Sequence, residues 1–194
     1  MKLNFAGLAL LSTLILVAFA AWAQIETTKL RKQAEIRITT FNHQLNATLA
    51  ANIELGGLKR GVSGCDSIAK NMAVQSTTGG WRLSRTSLKV RNPKNAPTPW
   101  EEYQLTAFAK SYANGKPLSA LKVEKLTSLD AETVKYKYMK GIVAEPVCLN
   151  CHGESLLPEV VGHLNRDYPN DKAIGYKLGD LMGAFALEKT VKIK

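Results

Sequence analysis

The run Cys148-Leu149-Asn150-Cys151-His152 places two thiols and an imidazole within five residues. C-x-x-C-H is the attachment signature of c-type haem. In that chemistry each thiol adds to one vinyl group of the porphyrin, and the adjacent histidine becomes the proximal ligand of the iron. A bare C-x-x-C also serves as a redox disulfide or as half of a zinc site. Zinc would have to recruit Cys65, the one remaining cysteine, and the direct succession of Cys151 and His152 makes tetrahedral closure by all four awkward. A thioredoxin-like site is expected beside a strand-helix-strand pattern and in a different local setting. The residues therefore favour one haem c per chain, fastened by Cys148 and Cys151 with His152 as proximal axial ligand.

Residues 1–23 read as a secretory signal, with Lys2 as the basic end, an uncharged apolar run from Phe5 to Ala21 and an A-x-A site at Ala21-Trp22-Ala23. An uncleaved membrane anchor is the alternative, because a run of that length reaches the lower edge of a bilayer span. Either way the expected location is periplasmic or otherwise exported, which is also where c-type haem is attached. The remaining segment, 24–194, has the size of one domain.

The formal charge of +10 falls to +9 when Lys2 leaves with the signal. That excess suits an acidic redox partner or a membrane surface. The basic residues are spread along the chain with no aromatic-interleaved stripe, which argues against nucleic acid as a partner.

The elements that must position the motif follow from periodicity. Ala34, Ile38, Phe41, Leu45, Leu49 and Ile53 recur every three or four residues and predict an amphipathic helix from Leu30 to Leu55, stopped by Gly56-Gly57. A second helix is expected from about Ser63 to Ser76, with Cys65, Ile68, Ala69 and Met72 on one face. Trp81 to Val90 has strand character, and the prolines and asparagines of Arg91 to Pro97 predict a loop. Thr98-Pro99-Trp100-Glu101 has capping-box spacing and opens a helix to about Asn114. Leu121 to Leu129 and Val134 to Val143 read as a hairpin leading into the motif, Pro158 to Leu164 as a short helix, and Leu181 to Ile193 as a closing strand. Together these predict an α+β domain on an antiparallel sheet.

A six-coordinate iron needs a second axial ligand, and the candidates are Cys65, His43, His163, Met72, Met139 and Met182. Residue type favours histidine or methionine. A lone cysteine on an inward helical face is more commonly a small buried hydrophobe, so the residues alone leave this position open. Arg82, Arg85 and Arg91 are cations that could approach the haem, with propionates as their ordinary partners.

The order of motifs resembles a known family. A cysteine in an early helix is followed by Thr86 to Pro97 with the run Arg91-Asn92-Pro93-Lys94-Asn95, then Trp100-Glu101, Cys148 to Gly153, Tyr168-Pro169, Gly175-Tyr176 and Gly179-Asp180. This is similar to the PAS-like single-haem c-type cytochromes, over nearly all of the segment after residue 23. The resemblance implies a PAS-like antiparallel sheet with flanking N-terminal helices. It also implies histidine and cysteine as axial ligands, hence His152 proximal and Cys65 distal.

A cysteine on ferric haem must be a thiolate, and its donation favours the ferric state, so the reduction potential should be low. Two roles follow: an electron carrier, or a redox or gas sensor in which Cys65 leaves on reduction and opens the iron. The lack of an output module favours electron transfer. Catalysis is not expected, because a thiolate would block the position a substrate needs.

Overall fold

The computed structural model describes residues 26–62 and 78–192 in full, and residues 5–25 and 63–75 as helix only. Secondary structure runs α1 (Phe5–Gln75), β1 (Trp81–Thr86), α2 (Pro99–Ala113), β2 (Lys122–Ser128), β3 (Thr133–Val143), α3 (Leu149–His152), α4 (Pro158–Asp167) and β4 (Leu181–Lys192). The chain divides into two units, residues 1–36 and 37–194. The first is the leading stretch of α1, with Leu30 and Ala34 buried. The segment 1–23, expected from sequence to be a signal, lies outside the residues whose side chains are described. Among the described residues, no helix is long and apolar enough to cross a membrane.

In the second unit the strands form one antiparallel sheet in the order β1-β4-β3-β2. Successive strand side chains alternate between its faces, and each face is covered by a helix. Phe41 of α1 meets Phe185 edge-on at 5.9 Å, and Arg37 lies over the Trp81 ring at 5.7 Å on the same face. On the other face, Leu105 and Phe108 of α2 pack against Met139, Ala184 and Ala186. This is the α+β arrangement of antiparallel sheet and N-terminal helix that the sequence predicts.

Two boundaries differ from the sequence pattern, each for a local reason. Gly56-Gly57 ends the first helix of α1 as expected, both residues leaving helical geometry and Gly57 taking φ +66°, but the second helix begins at Leu58, ahead of Ser63, because an apolar stripe returns with Leu58 and Val62. Strand β1 stops at Thr86 and not at Val90. Ser87 Oγ donates to the Met182 carbonyl and accepts from the Lys89 N–H at 3.1 Å, which takes the chain out of the ladder. Helix α2 starts as expected, with Thr98 and Glu101 in a reciprocal capping box contributing about 1 kcal/mol.

The hairpin that leads to the motif is closed by Asp130. Its carboxylate accepts from the N–H groups of Glu132 and Thr133 at 2.8 and 2.7 Å and from the Thr133 hydroxyl at 2.6 Å. The Thr133 hydroxyl, then the Glu132 N–H, hold this carboxyl below its ordinary value of 3.8. The unfolded chain therefore binds more protons over that interval, so the stabilisation is complete above the ordinary value and lost as pH falls through the folded one. Asp130→Ala should lower the thermal midpoint at pH 7, and its gap to the parent should shrink on acidification; a pH-independent gap would contradict this role.

Candidate functional site

Strand β3 delivers the chain to the site, and its end is pinned before the motif begins. The Ala144 N–H donates to the Asp180 carbonyl at 2.8 Å, and the Gly179 N–H donates back to Ala144 at 2.9 Å. A 3-10 turn opened by Pro146 then winds directly into α3. Cys148, Cys151 and His152 thereby occupy positions i, i+3 and i+4 of continuous right-handed helix, which lie on one face. Both thiols are half-buried and neither is in a disulfide.

Gly153 ends the turn. A Cβ there would stand 2.5 Å from the Leu149 carbonyl oxygen, which accepts the Gly153 N–H at 3.0 Å. Only glycine lets the chain leave this turn so tightly. Beyond it the backbone is stitched to a distant loop: Tyr176 N–H donates to the His152 carbonyl and Gly175 N–H to the Gly153 carbonyl, each at 3.0 Å.

That loop holds the imidazole. His152 Nδ1 lies 2.7 Å from the Ala173 carbonyl oxygen, and Nε2 lies 3.5 Å from Nη1 of Arg91. A carbonyl can only accept and a guanidinium can only donate. Nδ1 must therefore carry the proton and Nε2 the lone pair. Burial, then the Arg91 charge, push the His152 pKa down to about 4 against the favourable Ala173 bond, so the ring is neutral near pH 7. A neutral imidazole with its second nitrogen anchored to a carbonyl is the form in which histidine ligates metals.

The surroundings are apolar on one side and ionic on the other. Cys151 packs against a cluster of Val62, Val160 and Leu164, bordered by Leu58, Leu156 and Tyr168. Leu149 packs with Ala144, Ala173, Tyr176 and Met182. Arg91 and Asp171 form an ion pair at 2.9 Å, and Arg85 adds a second positive influence on His152.

Among the residues proposed from sequence, Cys148, Cys151 and His152 come together. The Cys65 and Met72 side chains lie outside the described residues. His43 is exposed on α1. His163 is engaged on α4 with Asp167 at 3.0 Å and with Arg166. Met139 is fully buried beneath α2 on the opposite face of the sheet, while Met182 borders the motif. Arg82 is largely exposed and pairs with Glu188, whereas Arg91 and Arg85 reach the site. Asp171 and the Ala173 carbonyl are not evident from sequence; the Tyr168-Pro169 and Gly175-Tyr176 pairs of the family pattern are the nearest signals to them. Among the described residues no group of three or more histidine, cysteine, aspartate or glutamate side chains is placed to hold a metal ion.

The sequence model of the Tll0287-like family matches residues 23–189. The chain belongs to the Tll0287-like family. This is the single-haem cytochrome family that the order of motifs resembles. Among solved structures, the crystal structure of the cyanobacterial heme-protein Tll0287 is similar, with a TM-score of 0.55 and 24% identity over 84% of this chain and 96% of that one. That likeness supports the fold. A search of curated proteins found no match.

Gly153→Ala should force the Cβ into the Leu149 carbonyl and destabilise the domain by about 1–3 kcal/mol, the usual cost of overpacking. Urea denaturation measures this; a parental midpoint would show that the turn tolerates a wider exit.

Proposed function

We propose that this Tll0287-like chain is an exported protein that carries one covalent haem c and works as a low-potential electron carrier. The observation that carries the reading is the His152 ring, held neutral with its Nε2 lone pair available, on the same helical face as two thiols outside any disulfide. These residues fit the group: Cys148 and Cys151 would hold it through thioethers and His152 would bind its iron. A bound haem supplies a one-electron couple.

Cys65 is the proposed second axial ligand. The family pattern of a cysteine in an early helix supports it, and Val62, three residues earlier in the sequence, is buried in the cluster against which Cys151 packs. The Cys65 thiolate would favour the ferric state and lower the potential relative to histidine with methionine. His152 and Cys65 would together hold the iron, which would suit it to carriage and not catalysis. The net positive charge suits an acidic partner, and the signal segment 1–23 supports export.

Protein purified from a host that attaches haem in its periplasm should retain haem on a denaturing gel, and Cys148→Ala with Cys151→Ala should abolish that retention. Haem lost from the parent on denaturation would overturn the attachment. Cys65→Ser should change the ferric low-spin spectrum, and an unchanged spectrum would remove Cys65 from the iron. Carbon monoxide should bind neither oxidised nor reduced parent; an adduct on reduction would identify a ligand-sensing module instead of a carrier.

A further inference from the structure

Arg91 is more completely committed than a surface cation near a cofactor would be. Its side chain is 14% exposed, and Nε donates to Asp171 Oδ2 at 2.9 Å, with the Asp171 side chain 10% exposed. Nη2 donates to the Cys151 carbonyl and, at 3.3 Å, to the Ala173 carbonyl. Asp171 in turn accepts the Ala173 N–H at 2.8 Å. Arg91 and Asp171 thus grip both ends of the residue whose carbonyl takes the His152 Nδ1 proton, and Arg91 also grips the turn that bears His152. The Nη1 contact to Nε2, at 3.5 Å, is the long limit of a hydrogen bond and the one a metal would replace. The other contacts leave the lone pair alone.

The chain around Arg91 is built to hold it there. Asn92 accepts the Lys94 N–H at 3.0 Å and caps the 3-10 turn Pro93–Asn95, and the Val90 carbonyl accepts the Lys172 N–H at 3.0 Å. Arg82 lacks such surroundings: its side chain is 80% exposed and its partner Glu188 lies across the neighbouring strand at 3.6 Å.

We propose that Arg91, paired with Asp171, is the positioning residue for the His152 ligand: it holds the Ala173 carbonyl against Nδ1 and so fixes the ring's rotation and which nitrogen keeps its lone pair. This rests on the haem reading above and assigns a task to the arginine of the Arg91-Asn92-Pro93 segment. The task needs a planar fork with several donors, which lysine, a point charge, does not supply.

Arg91→Lys and Arg91→Gln test this, the first keeping the charge without the fork. In haem-loaded protein both should keep covalent haem and change the ferric electron paramagnetic resonance g-values. Arg91→Gln, which also leaves the Asp171 charge uncompensated, should shift the ferric-ferrous equilibrium about tenfold toward ferric, ~59 mV for one electron. Arg91→Lys with parental g-values would overturn the proposal and leave a charge effect alone. If Arg91→Gln fails to fold, Arg91→Lys decides. If the parent carries no covalent haem, the haem reading fails on its own, and the nitrogen chemical shifts of His152 in the chain without cofactor decide this one. The parent should show the Nδ1–H form and Arg91→Lys a mixture; a pure Nδ1–H form in the variant would overturn the proposal.

Discussion

The His152 imidazole lies between a carbonyl oxygen, which can only accept a hydrogen bond, and a guanidinium, which can only donate one. Those two neighbours permit a single neutral form of the ring, with the proton on Nδ1. An exposed histidine would exchange between two tautomers and titrate near pH 6.5. Here burial and the Arg91 charge disfavour the cation, so the ring keeps a lone pair across the physiological range. Desolvating the guanidinium is costly, and Asp171 offsets that cost; losing either partner of such a buried pair typically destabilises by about 3–5 kcal/mol.

Most of the fold serves to bring two remote stretches of chain to this ring. The sheet, packed between α1 residues 37–62 and α2, fixes where β3 ends and β4 begins. The 144–153 segment is then stitched to residues 173–180 by backbone hydrogen bonds, so the thiols and the carbonyl that holds His152 share one frame. Arg91 enters from the segment after β1, which leaves the sheet because Ser87 diverts its hydrogen bonding. On the apolar side, Val62, Val160 and Leu164 place the far part of α1 beside Cys151.

What the sequence made legible was local. The Thr98 to Glu101 capping box and the alternating strands encode their structure within a few residues, and the structure places them as expected. The glycine pair at 56–57 marks the break between two helices, whereas the second begins at Leu58 and not near Ser63 because Leu58 and Val62 already belong to its apolar stripe. The grip on His152 was hidden for a different reason. Asp171 is 80 residues from Arg91, and the Ala173 acceptor is a backbone carbonyl that no residue type announces. Arginine by type suggested a partner for haem propionates; its buried contacts with Asp171 and two carbonyls show an internal role.

A crystal structure of the protein purified with its cofactor tests the central claim most directly. The account predicts thioether bonds at Cys148 and Cys151 and His152 Nε2 on the iron, with Nδ1 still hydrogen-bonded to the Ala173 carbonyl. A Cys148–Cys151 disulfide, or an iron bound elsewhere with His152 turned away from Ala173, would contradict it.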